Sequence, residues 1–320
     1  MCIQKFTLIM MYLGYRMQKY KCLKRVNKIR FYLLYLFLFA IQIKANSQIN
    51  TDAFIYKISS SHTSFPDTGR LNGHIYDSVF YSFEEHYNDS SVMIIVPKNF
   101  KSGKKIDFIF WFHGWNNNID SAAVRYQLIK QFLASKCNAI LVFAETAKDS
   151  PDSYGGKLEQ QNAFKYLVND VLTKLKRENQ IAKNCIAGNI VLAGHSGAYR
   201  VIAYILKNGG MPVKEVDLFD ALYSETDKFL SWIEEDTAHR FIHWDTNTGG
   251  GTDEETANMI KLLQAINISF YITEEDAVLP QQIFSNKIIF IHSKREHNEI
   301  INNPNNFQLL LDCNHFLSKF

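Results

Sequence analysis

The stretch NIVLAGHSGAYRVIAYILKN, residues 189–208, decides the fold of this chain. Its apolar beginning predicts a buried strand, and its second half places apolar side chains on one face of a helix. Between the two, Ser196 lies on a tight turn, with the small residues Gly194 and Ala198 two positions to either side. Such a turn strains the backbone and exposes the serine hydroxyl. The pattern G-x-S-x-G, here with alanine last, predicts a nucleophile; a serine that caps an ordinary strand-to-helix junction is the alternative.

Strand-like and helix-like segments alternate on both sides of this turn. The predicted strands are residues 74–80, 92–96, 107–112, 139–144, 189–193, 216–219, 240–244 and 287–292. The predicted helices are residues 121–135, residues 158–177, the helix after Ser196, and one that Thr252 and Glu255 open as a capping box. This alternation predicts an α/β fold with a mostly parallel central sheet, helices on both faces and an antiparallel entry pair formed by the first two strands. Active sites in such sheets gather at the carboxyl ends of the strands.

Composition places the chain among globular proteins and gives no sign of a nucleic-acid partner. Of its 320 residues, 47% are hydrophobic and 21% are charged, which is enough to bury a substantial core. The formal net charge is +3, but six lysines and arginines lie between residues 19 and 30. Without that segment the protein is close to neutral, so a phosphate backbone would find little to bind.

The basic segment precedes an apolar stretch, residues 31–43, that is short for a membrane span and typical of a signal-peptide core. Small residues at positions 45 and 47 predict cleavage before Gln48, with translation starting at Met1 or at Met17. Residues 1–47 are therefore predicted as a signal peptide, and the mature protein as secreted, periplasmic or held in the cell envelope without a membrane span. An uncleaved membrane anchor is the alternative.

Residues 48–70 are rich in Ser, Thr and Asp and predict a loose mature N-terminus, followed by one domain over residues 71–320. Three cysteines remain after signal removal, so at most one disulfide can form within the chain. Their spacing fits no metal site, and the glycines at positions 249–251 lack the lysine of a phosphate-binding loop. We expect no metal and no cofactor, and the sequence leaves the oligomeric state open.

The strand–turn–helix around Ser196, the pair His113-Gly114 after an early strand and a late histidine resemble the α/β-hydrolase fold superfamily of serine hydrolases and esterases, over about residues 74–320. The resemblance implies a nucleophile, an acid and a histidine in that chain order, and hydrolysis through an acyl-enzyme. It also implies that the loop after His113 forms an oxyanion hole, where Gly197 and either Trp115 or Gly114 donate backbone N–H groups. The alternative for this loop is an ordinary strand-to-helix connection.

The resemblance implies His297 as the base, because this residue lies in the loop after the last predicted strand; His315 is the alternative. Two aspartates end predicted strands and could orient the histidine. Asp220 is followed by apolar residues that would keep a carboxylate desolvated and is slightly favoured over Asp245. If neither faced the histidine, the acidic run at residues 274–276 would be the next candidate.

The sequence therefore predicts an exported serine hydrolase that acts on small-molecule or polymer-linked carboxylic esters. A serine peptidase or amidase of the same fold is one alternative, and a non-catalytic binding protein of this fold is the other. Glu145 could shape the substrate pocket. Tyr223, Phe229 and Trp232 could form a partial lid or belong to a helix packed on the sheet.

Overall fold

The computed structural model of the protein describes residues 52–247 and 251–320. Eleven strands are found there, listed in chain order: β1 (Ala53–Ser59), β2 (His74–Tyr76), β3 (Val79–Tyr81), β4 (Ser91–Pro97), β5 (Lys105–Phe112), β6 (Ile140–Ala144), β7 (Ile186–His195), β8 (Glu215–Phe219), β9 (Arg240–Thr246), β10 (Tyr271–Glu274) and β11 (Ile288–Ser293). The helices of the same part of the chain are α1 (Phe83–His86), α2 (Ile119–Arg125), α3 (Leu128–Ala134), α4 (Ala163–Arg177), α5 (Tyr199–Asn208), α6 (Thr226–Glu235), α7 (Thr252–Ala265), α8 (Pro280–Ser285) and α9 (Asn306–Asp312).

One large sheet holds all of these strands except β2 and β3. Its strand order is β1-β4-β6-β5-β7-β8-β9-β11-β10. Strand β4 runs antiparallel to both of its neighbours, and every other neighbouring pair is parallel. The predicted α/β fold with a mostly parallel sheet is confirmed. Because β5, β7, β8, β9 and β11 are parallel, the segments that follow them emerge at the same edge of the sheet.

Helices cover both faces of this sheet because alternate strand residues point to opposite sides. On one face, Phe110 of β5 packs edge-on against Phe164 of α4, with ring centroids 4.8 Å apart. Helices α5, α6 and α7 join the same core, and Phe229 and Trp232 of α6 are buried in it. On the other face, Trp111 of β5 packs against Phe307 of α9 at 5.1 Å. Phe229 and Trp232 are thus parts of a packed helix rather than of a lid.

The expectation of a loose segment over residues 48–70 is wrong for residues 53–59. These residues form strand β1, which pairs antiparallel with β4 along its whole length. Tyr56 and Ile58 pack against the main core, and Phe65 is fully buried farther along. The polar composition of the segment hid an alternating strand whose outer face is exposed.

The predicted entry strand at residues 74–80 is also wrong. The chain turns back at Asp77 and Ser78, whose φ angles are 45° and 64°, and β2 and β3 pair with each other as a separate hairpin. Two consecutive residues with positive φ form the two-residue turn that suits a right-twisted hairpin. The antiparallel partner of β4 at the outer side of the sheet is therefore β1.

Two predicted helices are shorter than expected. The segment 121–135 is divided into α2 and α3 at Gln127, where φ is 50°. The segment 158–177 begins with a 3₁₀ turn (Gly156–Glu159), and the α-helix starts only at Ala163, after Asn162 adopts a φ of 63°. Left-handed backbone at a residue other than glycine interrupts a helix, and hydrophobic periodicity does not reveal it.

The predicted signal peptide at residues 1–47 and the glycines at positions 249 and 250 lie outside the described residues. Among the residues that are described, no helix is long and apolar enough to cross a membrane. Cys137, Cys185 and Cys313 are buried free thiols.

Candidate active site

Ser196 lies directly after β7, on a single 3₁₀ turn that leads into α5. Its φ angle is 55°, a left-handed conformation that costs an L-residue free energy and that clusters at functional turns. A Cβ atom at Gly194 would lie 2.7 Å from the Ala198 methyl carbon and 2.7 Å from Ile202 Cδ1. The turn therefore needs glycine at position 194. Position 198 can hold alanine because that methyl group fills the space the glycine leaves open.

The loop after β5 lies directly against this serine. A Cβ atom at Gly114 would lie 2.5 Å from Ser196 Cβ and 2.8 Å from the His195 carbonyl oxygen, so only glycine fits there. On the other side of the serine, a Cβ atom at Gly197 would lie 2.4 Å from Cδ1 of the Trp115 indole. The structure thus brings the three residues predicted as oxyanion donors, Gly114, Trp115 and Gly197, together around Ser196.

His297 lies in the loop after β11, and its Nδ1 hydrogen-bonds Oδ2 of Asp220 at 2.6 Å. Asp220 directly follows β8, has a φ of 46° and is fully buried. Its carboxylate also accepts hydrogen bonds from the Thr246 amide at 3.2 Å and from the Thr246 hydroxyl at 2.6 Å. The Thr252 hydroxyl donates a further hydrogen bond to it. Of the two aspartates considered, Asp220 is the one that faces the predicted histidine.

These donors keep Asp220 ionised. Burial alone would raise the pKa of its carboxyl group, but the hydrogen bonds from His297, Thr246 and Thr252 outweigh burial and lower the pKa below its ordinary value. The capping box expected from Thr252 and Glu255 is wrong. Gly251 is the residue before α7, and the Thr252 hydroxyl serves Asp220 instead.

The alternative candidates lie elsewhere. Asp245 ends up opposite His292 on the neighbouring strand, and their side chains bond at 2.7 Å. His315 is exposed and packs on the Phe284 ring, 4.1 Å away. Within the acidic run 274–276, Glu275 accepts hydrogen bonds from three side chains at the end of β11, just after it, or at the start of α9, namely Ser293, Arg295 and Asn306.

His195, which fills the variable position before the serine, was not predicted from the sequence as part of the site. It is buried, and its ring packs against the His297 ring with centroids 4.4 Å apart and an interplanar angle of 35°. Its Nε2 contacts the His297 carbonyl oxygen at 3.0 Å, and its Nδ1 lies 3.3 Å from the Tyr126 hydroxyl. Burial lowers the pKa of His195 to about 3, so the ring is neutral and donates one proton to the loop carbonyl. His195 therefore supports the loop that carries His297, a contact between segments about a hundred residues apart.

Glu145 does not line the pocket, contrary to expectation. It is buried, and its Oε1 bonds Nε2 of His113 at 2.5 Å, while Nδ1 of His113 contacts the Gly114 carbonyl oxygen at 2.8 Å. Burial would lower the pKa of His113, but the Glu145 carboxylate raises it. Both ring nitrogens face acceptors, so a buried ion pair fixes the loop at Gly114.

Ser196 and His297 open into one cavity of about 510 Å³. Most of its wall is neutral and polar or aromatic: Trp115, Asn116, Asn117, Tyr126, Ser153, Tyr199, Tyr223 and Asn298. The Trp115 indole is held by a 2.7 Å hydrogen bond to Ser153 Oγ. The Tyr223 ring packs edge-on to the His297 ring at 6.5 Å, so this residue of the expected lid belongs to the pocket wall. Among the described residues, no group of three or more His, Cys, Asp or Glu side chains is arranged to hold a metal ion.

Comparisons with known proteins find structures but no sequence relatives. No family model matches the chain, and no curated protein matches it. Among solved structures, it is similar to a ferulic acid esterase, with 12% identity and a TM-score of 0.49 over 82% of this chain and 98% of the other. It is also similar to an S-formylglutathione hydrolase from Staphylococcus aureus, with 9% identity and a TM-score of 0.45 over 80% of this chain and 98% of the other.

A third similar structure is the fluorophosphonate-binding serine hydrolase F of Staphylococcus aureus, with 10% identity and a TM-score of 0.45 over 81% of this chain and 99% of the other. These neighbours are α/β hydrolases of the esterase type. The fold is visible in the chain itself, in the antiparallel β4 within a parallel sheet, the serine turn after β7 and the histidine loop after β11. The described part of the chain has an α/β-hydrolase fold.

Proposed function

We propose that this protein is a serine hydrolase that cleaves carboxylic esters through an acyl-enzyme. Ser196 would be the nucleophile, His297 the general base and Asp220 the acid that orients the histidine. The single observation that carries the proposal is the 2.6 Å bond between His297 Nδ1 and Asp220, made by a histidine that lines the same pocket as the strained Ser196. A histidine so paired, beside a serine at a strained turn, is the arrangement that acyl transfer requires.

The role of each residue follows from where the protons of His297 and Ser196 lie. Nδ1–H of His297 donates to the ionised Asp220, so Nε2 is left to accept the proton of Ser196. As Ser196 Oγ bonds the ester carbonyl carbon, the proton passes to His297 and then to the departing alcohol oxygen. In the second half-reaction, water attacks the carbonyl carbon of the acyl-enzyme and gives its proton to His297. His297 returns that proton to Ser196 Oγ as the ester bond to the serine breaks and the carboxylic acid leaves. Asp220 holds the productive tautomer and stabilises the imidazolium formed in each half-reaction.

The oxyanion formed at the carbonyl needs two N–H groups aimed at it before the reaction. We assign the amides of Gly197 and Trp115. The amide of the next residue, Asn116, is already bonded to the Ser150 carbonyl oxygen at 3.0 Å. That bond and the His113–Glu145 pair fix the loop on both sides of Trp115.

Substituting Gly114 should therefore disable the site without replacing a reacting group. In Gly114→Ala the new methyl group would overlap Ser196 Cβ, so the loop has to move away from the serine. We expect kcat to fall about 100-fold or more, the size of effect seen when one oxyanion donor is lost. Gly103→Ala is the matched control, because its Cβ would meet no atom closer than 3.5 Å. Equal kcat values for the two variants, measured with an aryl ester, would contradict this role of the loop.

An assay on paired substrates tests the proposed reaction. The same acyl group is presented as a 4-nitrophenyl ester and as a 4-nitroanilide, and both rates are followed by absorbance. We expect ester hydrolysis with a burst of nitrophenol when deacylation is slow. A faster anilide reaction would assign the site to amide cleavage. No turnover of either substrate class, across several acyl lengths, would favour a non-catalytic binding protein.

We further propose that the protein is exported after removal of residues 1–47. The support is the order of basic residues, short apolar core and small residues before Gln48. Expression in a cell with a secretion pathway, followed by mass spectrometry of the exported protein, should find an N-terminus at or near Gln48. A protein that keeps residues 31–43 and sediments with membranes would show the segment to be an anchor instead.

A further inference from the structure

Arg125 is the only permanently charged side chain in the wall of the catalytic pocket as far as the described residues show. It lies at the last position of α2, and the pocket wall contains no Asp or Glu. Asp220, the carboxylate of the proposed triad, is buried behind His297 and is not part of that wall. The cavity therefore offers a ligand one positive charge and no negative one.

The backbone of Arg125 is held by a neighbouring side chain, while its exposed guanidinium has no ion-pair partner among the described residues. Asn302 Nδ2 donates to the Arg125 carbonyl oxygen at 3.0 Å, which ties the end of α2 to the chain that follows the His297 loop. The guanidinium carbon lies 5.7 Å from the centroid of the Tyr126 ring. No ion pair within residues 52–247 and 251–320 includes Arg125, although most of the other arginines described there have a carboxylate partner.

Neutral hydrogen-bond donors lie on the same side of the pocket. Tyr126 donates its hydroxyl proton to Asn298 Oδ1 at 2.8 Å, so the amide group of Asn298 is turned with its nitrogen away from the tyrosine. Asn298 lines the pocket, and in the described part of the chain its Nδ2 has no hydrogen-bond partner. An arginine and a side-chain amide together present the planar N–H donors that suit a carboxylate.

We propose that Arg125 and Asn298 form a subsite for an anionic group, and that the esters cleaved here carry a carboxylate away from the reacting carbonyl. This inference rests on the proposed hydrolase function, whose site it completes. A charge-assisted hydrogen bond to arginine would orient one end of the substrate while Ser196 attacks the other.

The subsite would also act on the chemistry. The positive charge of Arg125 disfavours a second cation nearby, as seen in its contribution to the lowered pKa of His195. The proposed mechanism forms an imidazolium at His297, whose ring packs against that of His195. A substrate carboxylate bound to Arg125 would cancel this repulsion. The anionic ester should therefore have a higher kcat as well as a lower KM than the neutral ester.

The test compares two pairs of esters that differ in one charge. The first pair places the carboxylate on the acyl side: the 4-nitrophenyl monoester of succinate against 4-nitrophenyl butyrate. The second places it on the leaving group: 4-acetoxybenzoate against 4-acetoxybenzamide. The quantity measured is the ratio of kcat/KM, anionic over neutral, in wild type, Arg125→Gln, Arg125→Lys and the control Arg177→Gln, an exposed arginine at the end of α4.

We expect Arg125→Gln to lower this ratio about 10- to 100-fold for one of the pairs, the range of a charge-assisted hydrogen bond. The affected pair identifies the side of the ester that the subsite binds. Arg125→Lys should restore part of the ratio, since it keeps the charge and loses the two-pronged donor. Arg177→Gln should leave the ratio unchanged, although it removes the same charge. Free succinate should inhibit wild type competitively and Arg125→Gln more weakly.

Ratios that stay within twofold of wild type for both pairs in Arg125→Gln, with succinate inhibition unchanged, would overturn the subsite. Equal losses in Arg125→Gln and Arg177→Gln would also overturn it, because they would reflect net charge alone. Neither result touches the hydrolase proposal as long as the neutral esters are cleaved. If no ester of either kind is cleaved, equilibrium binding of succinate to wild type and Arg125→Gln still decides whether the anion subsite exists.

Discussion

Ser196→Ala should abolish ester hydrolysis, with a loss in kcat of about 10⁴-fold or more, because no other group can form the covalent intermediate. The fold should persist. The serine side chain is only half-buried, and alanine can occupy the same turn at a φ of 55° with strain similar to that of serine. The measurement is the rate on a 4-nitrophenyl ester, with circular dichroism and a thermal melt to confirm an intact domain.

Ser285→Ala is the control for this variant, since Ser285 is exposed at the end of α8. It should keep the wild-type rate. A Ser196→Ala protein that is folded and still cleaves the ester at more than a few per cent of the wild-type rate would remove the serine from the mechanism.

Asp220→Asn should have the second largest effect, a loss in kcat on the order of 10⁴-fold. The asparagine amide cannot hold the His297 tautomer in which Nε2 is unprotonated, and it cannot stabilise the imidazolium. Asp245→Asn is a closely matched control. Asp245 lies near the end of β9, the strand beside β8, and also bonds a histidine, His292, at 2.7 Å. We expect its kcat to remain within a few-fold of wild type.

The two aspartate variants can be separated from a general loss of stability. The folded-state pKa of Asp220 is below its unfolded value, so its ionised form stabilises the fold above about pH 4 and that contribution is lost as the pH falls through the folded-state pKa. The stability gap between Asp220→Asn and wild type should therefore shrink in acid. A large loss of kcat in Asp245→Asn and a small one in Asp220→Asn would exchange the roles of the two residues.

Local sequence carried enough information to place the Ser196 turn and the strands beside it. Residues 189–208 contain the patterns of a strand, a small-residue turn and a helix in succession. Each of these patterns can be recognised from residues that are neighbours in sequence. The parallel sheet followed from the alternation of strands and helices. His297 was predicted from its position after the last strand, and the structure brings it to Asp220.

The sequence favoured Asp220 over Asp245 only slightly, because the choice between them depends on pairing across strands. Strand β11 lies beside β9 in a register that places His292 opposite Asp245, so a different histidine occupies that carboxylate. The loop after β11 then carries His297 across to the end of β8. No pattern within a single segment reports which strand lies beside which.

Other errors share this origin. Strand β1 was missed because it is short, lies within a segment rich in Ser, Thr and Asp, and leaves most of its residues exposed until its partner β4 is known. The breaks at Gln127 and at Asp77-Ser78 are left-handed backbone conformations, and no sequence pattern at these polar residues predicts them. His195 was passed over because its role is a contact with the His297 loop, about a hundred residues away along the chain.

The most direct test of the central claim, that Ser196 is an activated nucleophile, is reaction with a fluorophosphonate probe followed by peptide mass spectrometry. The probe phosphonylates a serine only when a neighbouring base has activated it. We expect a single adduct on the peptide that contains Ser196, absent from Ser196→Ala and formed far more slowly in Asp220→Asn. A folded wild-type protein that stays unlabelled, or that carries its adduct at another residue, would contradict the account.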